Sequence, residues 1–504
     1  MSIDDTVHGL LERGAAEAPA IGAPERPPLT FAALRAQVRA TVEAMNGFGF
    51  GREDPIAIVL PNGPEMASSF LCLAAGFTTA PLNPAYRAEE FDFYLGDLEA
   101  KALVVEAGST STAIAVAKDR GIPIIELVID PKSPAGAFTL KSGLKGKPAR
   151  PGLAAPDDVA LVLHTSGTTS RPKIVPLSHR NVCASARHIR ETIALTPADR
   201  CLNIMPLFHI HGLIAATLSS VGAGGSVWCS PGFNALRFFA WMQEAKPTWY
   251  TAVPTMHQAI LARADRNQEI IKANPLRLIR SSSASLPPQV MAELEKVFGC
   301  PVIESYGMTE AAHQMASNPL PPRPRKPGSV GIAAGPEVAI MDGDGNLLPA
   351  GATGEVVIRG PNVTRGYRNN EKANAEAFTN GWFRTGDQGV MDAEGYLTIT
   401  GRLKEIINRG GEKISPKEVD EVLMDHPAVA QVVTFAIPHD KLGEEVGAAV
   451  VLREGFTATE REIRDFAATR LADFKVPRKV LFLPEIPKGA TGKLQRIGLA
   501  KVLG

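Results

Sequence analysis

The chain has 504 residues, 45% of them hydrophobic and 21% charged, a composition that fits a globular protein of several packed units. Lys plus Arg and Asp plus Glu each number 53, which excludes the global positive field of a nucleic-acid or anionic-membrane binder. The five cysteines (Cys72, Cys183, Cys201, Cys229 and Cys300) are odd in number and far apart, which argues against a disulfide framework or structural zinc and for buried thiols in a reducing compartment. The opening stretch MSIDDTVHGLLERG predicts a short amphipathic helix, with no basic region and apolar core of a signal peptide. No apolar run reaches membrane-spanning length, and the terminal KVLG matches no common address signal. The cytoplasm is the expected compartment.

Short apolar runs then alternate with helical patterns. Residues 56–60 (IAIVL) predict a buried strand, followed by a Pro/Gly turn and a helix over 65–76. Further strands are predicted at 103–106, 124–129, 159–164, 202–205, 226–229, 277–280 and 302–304, with a helix over 288–298 among them. A loop-like linker covers 144–156. This alternation predicts an α/β fold of layered, substantially parallel sheets. Beyond about residue 328 short β runs dominate, at 338–341, 355–359 and 396–400, with Asp344-Gly345 and Asn380-Gly381 turns between them; these predict a β-rich subdomain over 328–401. A second boundary falls at 401–404. The last hundred or so residues predict a small α+β unit: Ser415 as N-cap with Pro416 at the first helical position, strands over 432–437 and 447–452, and a helix over 459–471. The expected division is 1–401 and 402–504.

The strongest local signal is HTSGTTSRPK, residues 164–173, after an apolar strand and before a helix starting near Ser178. Hydroxyls and backbone N–H groups on a glycine-hinged loop can wrap phosphate oxygens, and Lys173 adds a mobile positive charge. The spacing is not GxxxxGK[ST], so the P-loop reading fails. Alone, such a stretch is more often a polar surface turn; Ser-Gly-Thr-Thr followed by Pro-Lys is far more specific.

TSGTTSRPK resembles the phosphate loop of the adenylate-forming superfamily, which includes acyl-CoA synthetases, luciferases and adenylation domains. PLFHIHG (206–212), SYGMTE (305–310), GWFRTGD (381–387), GRLKEIINRGGEKISPKEVD (401–420) and PKGATGKLQR (487–496) follow in that family's order. The resemblance spans nearly the whole chain. It implies ATP, Mg²⁺ and coenzyme A as reactants, an acyl-adenylate intermediate and a thioester product. By it, Thr165, Ser166, Gly167, Thr168, Thr169 and Lys173 hold phosphates, and Ser283 adjoins the nucleotide. Tyr306 stacks on adenine, Thr309 touches the α-phosphate, Glu310 helps hold Mg²⁺, Asp387 takes the ribose diol and Arg402 joins it. Lys493 is the catalytic lysine that neutralises charge as a carboxylate attacks phosphorus. A carboxylate is already ionised near neutral pH, so the step needs no general base. Lys404 marks a hinge about which a mobile C-terminal domain turns, and Gly410 and Gly411 line the coenzyme A path. His209 is either a gate near the thiol entrance or a packed, hydrogen-bonded histidine. Tyr306 as a core aromatic and Glu310 as a solvated charge would be the bland readings without the other motifs.

The acid is read from LFHIHGL, WYTAVPTMHQAIL (249–261), RSSSASL (280–286) and MTEAAHQMASNPLPP (308–322). These are too polar for a fatty-acid tunnel, and His211, Ser281, Ser283 and His313 are candidates to converge on a second carboxylate. The stretches resemble those of plant and fungal oxalate–CoA ligases, which implies that His211, Ser283 and His313 hold the distal carboxylate. Malonate, another small acid or a small aryl acid are the rivals, as is a stand-alone enzyme loading a carrier protein. A nucleotide-binding regulator without catalysis is the alternative class; the intact set Lys173, Glu310, Asp387 and Lys493 speaks against it. No nucleic acid or membrane partner is expected, and a monomer or homodimer is.

Overall fold

The computed structural model describes residues 3–165, 172–489, 494, 496 and 499. It is an α/β protein with four sheets. The largest has nine strands in the order Ile332–Ala333, His313–Ser317, Val302–Met308, Leu278–Ser281, Trp249–Ala252, Arg200–Asn203, Ser226–Cys229, Pro19–Ala23 and Arg26–Thr30. The run from Val302–Met308 to Pro19–Ala23 is parallel, and the outer pairings are antiparallel. A seven-stranded sheet carries Val159–His164 and, at its edge, Ile174–Ser178.

The helices Phe31–Phe48, Pro64–Ala74 and His179–Thr192 supply the core shared with strands of both sheets, including Phe31, Phe70, Leu71, Val182 and Ile189. Each fully buried aliphatic or aromatic side chain there contributes about 1.5–3 kcal/mol. The outer face of the nine-stranded sheet packs on Phe238, Met242, Met291 and Leu294, and that of the seven-stranded sheet on Phe91, Leu95 and Val116. Strands buried on both faces lose polar alternation, which is why the sequence reads as short apolar runs.

The β-rich region forms an antiparallel five-stranded sheet that ends with Leu397–Arg402. That strand runs across the 401/402 boundary expected from sequence, and the next sheet begins at Ile407–Arg409. This last sheet has five strands and its own core, including Ile407, Val419, Leu423, Val446 and Ile463. Ser415 caps the helix Pro416–Met424 as expected. The N-terminal stretch differs from expectation: it is broken into Ile3–Asp5, Val7–Leu10 and Leu11–Arg13, with the Val7 N–H donating to His179 Nδ1 at 3.0 Å. Among the described residues no helix is long and apolar enough to cross a membrane.

Candidate active site

The strand Val159–His164 leads into the phosphate-loop motif, and the chain returns as the antiparallel strand Ile174–Ser178. The two strands pair along their length, from Val159 with Ser178 to His164 with Ile174. Beyond them Thr165 and Lys173 are joined by Thr165 N–H to the Lys173 carbonyl (3.0 Å) and Lys173 N–H to Thr165 Oγ1 (3.3 Å). Ser166, Gly167, Thr168 and Thr169 lie outside the described residues. The expected helix near Ser178 is His179–Thr192, held by a Ser178/Asn181 capping box that contributes about 1 kcal/mol.

Two side-chain clusters gather the residues of the other motifs, one of them on Lys173. In one, Lys173 Nζ sits 4.5 Å from the centre of the Tyr367 ring, and the Tyr367 hydroxyl donates to Glu310 Oε1 at 2.8 Å. Glu310 is 7% exposed, and burial raises its pKa. Thr309 opens the short 3-10 turn that carries it. In the other, the Tyr306 hydroxyl donates to Asp387 Oδ2 at 2.5 Å, and Arg402 Nε lies 3.0 Å from Asp387 Oδ1. Cross-strand pairing of Asp387 with Arg402 sets that ion pair. Burial, then Asp387, pushes the Tyr306 hydroxyl well above its ordinary pKa. Asp387 holds Arg402 more firmly charged, and Arg402 also feels Glu310, so the two clusters share one field.

A third group lies at the end of the nine-stranded sheet. His211 opens a fully buried π-helix, His211–Leu218, a rare geometry frequent at functional sites. Its ring hydrogen-bonds through Nδ1 with Ser283 Oγ (3.0 Å) and through Nε2 with Thr251 Oγ1 (2.6 Å). The His313 ring stands edge-on to it at 5.0 Å. Ser283 and His313 hold positive φ, 73° and 107°, conformations that cost non-glycine residues about 1–3 kcal/mol each and persist where surroundings enforce them. Gly307 explains part of that enforcement: a Cβ there would lie 1.7 Å from the His313 carbonyl oxygen. The glycine of SYGMTE thus lets the strand bearing His313 close down.

Ser281 departs from the sequence reading. Register places it beside Ala252 and Glu304, whereas Thr251, which reaches His211, is paired with Arg280. Because strand side chains alternate between faces, Ser281 lies on the opposite face and does not join His211, Ser283 and His313. His209 accepts the His211 N–H at its Nδ1 (3.3 Å), so it braces the turn into the π-helix. Lys404 is exposed just after Arg402, whose carbonyl accepts from Glu405 and Ile406. Gly410 and Gly411, with φ of 61° and 103°, form a separate exposed turn between two strands of the C-terminal sheet. Lys493 lies outside the described residues. Among the described residues no group of three His, Cys, Asp or Glu side chains could hold a metal ion. The one buried carboxylate beside the loop lysine fits Mg²⁺, which is held by one or two carboxylates together with substrate phosphates.

Sequence reasoning missed Tyr367, Thr251, Arg280 and Glu304. Arg280 is fully buried with Nε and Nη1 unpartnered among the described residues, and burial pulls its pKa down to about 9. A charge inside the apolar run RLIR was the available signal. Glu304 is buried likewise: Oε1 accepts the Leu286 N–H at 2.9 Å, Oε2 has no described partner, and burial pushes its pKa up from 4.5 to about 7. The unfolded chain therefore releases this proton at lower pH than the folded one. The stability contribution is full below about 4.5 and is lost as pH rises through about 7. Glu304→Gln removes that dependence. Between pH 5 and pH 8 its stability relative to wild type should shift in the variant's favour by up to about 3 kcal/mol. Urea melts at both pH values check this, and a pH-independent difference would contradict it.

Comparison with known proteins shows the family. The AMP-binding enzyme family model matches residues 11–368, and the AMP-binding enzyme C-terminal domain matches residues 418–493. An oxalate–CoA ligase of Arabidopsis thaliana is 46% identical over 501 residues, covering 98% of this chain and 97% of that protein. One of Saccharomyces cerevisiae is 45% identical over 478 residues, covering 89% and 87%. The ATP-bound crystal structure of MatB from Rhodopseudomonas palustris superposes with a TM-score of 0.89 at 30% identity, covering 99% of this chain and 100% of that one. With family models matching residues 11–368 and 418–493 and relatives 45–46% identical over most of its length, the chain belongs to the AMP-binding enzymes.

Proposed function

We propose that this chain is an AMP-forming acid–CoA ligase whose acid is oxalate. The observation that carries the acid is the polar group of buried His211 and His313 with half-buried Ser283, hydrogen-bonded to His211. Long aliphatic acids need apolar walls, and a pocket of buried donors rejects acids that leave those donors unpaired. The named relatives at 45–46% identity, both oxalate–CoA ligases, support the same reading.

In the reaction, one oxalate carboxylate oxygen attacks the α-phosphorus of ATP; the new P–O bond forms as the bond to pyrophosphate breaks. The coenzyme A thiol then attacks the activated carbonyl, the thiol proton is lost, and AMP leaves. The first step rests on positioning and charge neutralisation. Thr165, Ser166, Gly167, Thr168, Thr169 and Lys173 cradle the phosphates. The Tyr306 ring stacks on adenine while Asp387 and Arg402 take the ribose side, and Thr309 and Lys493 address the α-phosphate. Glu310, together with the phosphates, would hold Mg²⁺, which would supply charge neutralisation as a Lewis acid. His211, Ser283 and His313 hold the distal carboxylate. His209 lies toward the thiol entrance, Gly410 and Gly411 line the coenzyme A path, and Lys404 is the hinge. The unit that ends with the strand Leu397–Arg402 and the C-terminal unit that begins at Ile407–Arg409 alternate about it. Five buried, unpaired cysteines suit a reducing compartment, for which we place the enzyme in the cytoplasm.

The test is a panel of small mono- and dicarboxylates scored by coenzyme A-dependent AMP release. Oxalate should give the highest kcat/KM, by roughly 100-fold or more over acetate. A malonate or aryl-acid optimum overturns the acid. No AMP with any acid overturns the ligase, and product formation only with a carrier protein reassigns the thiol.

A further inference from the structure

The segment 361–368, PNVTRGYR, contains no residue that the sequence motifs point to, yet it is laced to both nucleotide loops. On one side the Arg368 N–H donates to the Ile174 carbonyl (3.1 Å), and Thr364 Oγ1 donates to the Pro176 carbonyl (2.9 Å). Both acceptors lie in the strand that leaves the phosphate loop. On the other side the Thr364 N–H donates to the Glu310 carbonyl (2.7 Å), and Asn362 Nδ2 donates to the Ala311 and Gln314 carbonyls (2.8 Å each). Asn181 Nδ2, from the helix after the loop, donates to the carbonyls of Pro361 and Val363 at 2.8 and 3.0 Å. The segment is a strap whose backbone spans the gap between lysine loop and carboxylate loop.

Tyr367 completes the span with its side chain. The ring lies under Lys173 Nζ at 4.5 Å, and the hydroxyl meets Glu310 Oε1 at 2.8 Å. Its own backbone is clamped by Asn374: the Tyr367 N–H donates to Asn374 Oδ1 (2.7 Å) and Asn374 Nδ2 donates to the Tyr367 carbonyl (2.9 Å). Gly366 has φ 135° and, with a Cβ, would press on Asn374 Oδ1 at 2.8 Å. The ring is therefore held in one place. Tyr367 and Glu310 are both buried, so their hydrogen bond is shielded from water, where a charge-assisted bond is strongest, while Lys173 is half-buried and its cation–π contact is partly open to solvent.

We propose that Tyr367 is a positioning residue for the metal–nucleotide site: its hydroxyl aims the Glu310 carboxylate at the metal position, and its ring stores the Lys173 ammonium until phosphate displaces it. The two contacts use different parts of one side chain, so they separate by substitution. The proposal rests on the ATP-dependent ligase reading. Its failure is distinguishable, because wild-type binding of ATP and acid-dependent pyrophosphate exchange test the reading and the variants test the tyrosine.

Calorimetric titration of the full-length protein with ATP, once in EDTA and once with Mg²⁺, and without acid, reads both contacts. Tyr367→Phe keeps the ring and loses the hydroxyl. It should bind metal-free ATP within roughly twofold of wild type, yet lose roughly tenfold in the affinity gain that Mg²⁺ confers. The Mg²⁺ requirement for pyrophosphate exchange should rise in parallel and be met at high Mg²⁺. Tyr367→Leu should in addition alter metal-free ATP binding, by roughly three- to tenfold. Equal Mg²⁺ gains in wild type and Tyr367→Phe overturn the proposal. So does an equal loss of metal-free and Mg²⁺-supported binding accompanied by a fall in Tm, which would mark Tyr367 as a packing residue only.

Discussion

Lys493→Ala should lower acid-dependent ATP–pyrophosphate exchange by roughly 100- to 1,000-fold, the cost of removing one charge that stabilises a developing oxyanion. Conversion of supplied acyl-adenylate and coenzyme A to thioester should stay within roughly fivefold of wild type, since that step makes no new charge on phosphorus. The described residues on either side of Lys493 make the experiment clean. Lys488 and Leu494 form a bridge. Beyond it, Arg496 is bonded to Asp420 (2.8 Å), the Thr434 carbonyl and Glu405 (3.3 Å). None of these contacts uses Lys493, so the alanine takes away the ammonium and leaves them in place. Equal loss in both half-reactions, measured with isolated adenylate, would remove Lys493 from its role.

His313→Ala should lower kcat/KM for oxalate by roughly 100-fold or more while KM for ATP stays within roughly twofold. The imidazole stands 5.0 Å from that of His211, whose two nitrogens are already engaged by Ser283 and Thr251. His211 thus has little freedom to compensate. Acetate, with no distal carboxylate to hold, should lose much less than oxalate, so the discrimination between them shrinks. The variant keeps the glycine-dependent closure of Gly307 over residue 313, because that contact is to backbone. Oxalate kinetics unchanged from wild type would show that the pocket does not read the second carboxylate.

Several regular elements were legible without coordinates. The helix Pro288–Phe298 and the strands Val159–His164 and Ser226–Cys229 lie where the sequence predicts them. Others were not. Ile174–Ser178 and Arg26–Thr30 contain proline, which argues against a strand; both lie at sheet edges, where a missing N–H is tolerated. Trp249–Ala252 is four buried residues without alternation, and such a run carries no signal that separates it from helix. The π-helix at His211 has no sequence signature at all; its carbonyls are met by hydroxyls of Thr217, Ser219 and Ser220.

For the site, residue type and motif order in the sequence were enough to determine the family, the nucleotide chemistry and the candidates Lys173, Tyr306, Glu310, Asp387 and Arg402. Chemistry of that kind resides in local clusters of hydroxyls, carboxylates and cations, which survive reading in one dimension. Only the tertiary structure decided which of those side chains meet. It paired Tyr306 with Asp387 and His211 with Thr251, turned Ser281 to the far face of its strand, and brought Tyr367 between a lysine and a glutamate far from it in sequence. Strand register and sheet order set those meetings, and both arise from packing among residues distant along the chain, where no local pattern records them.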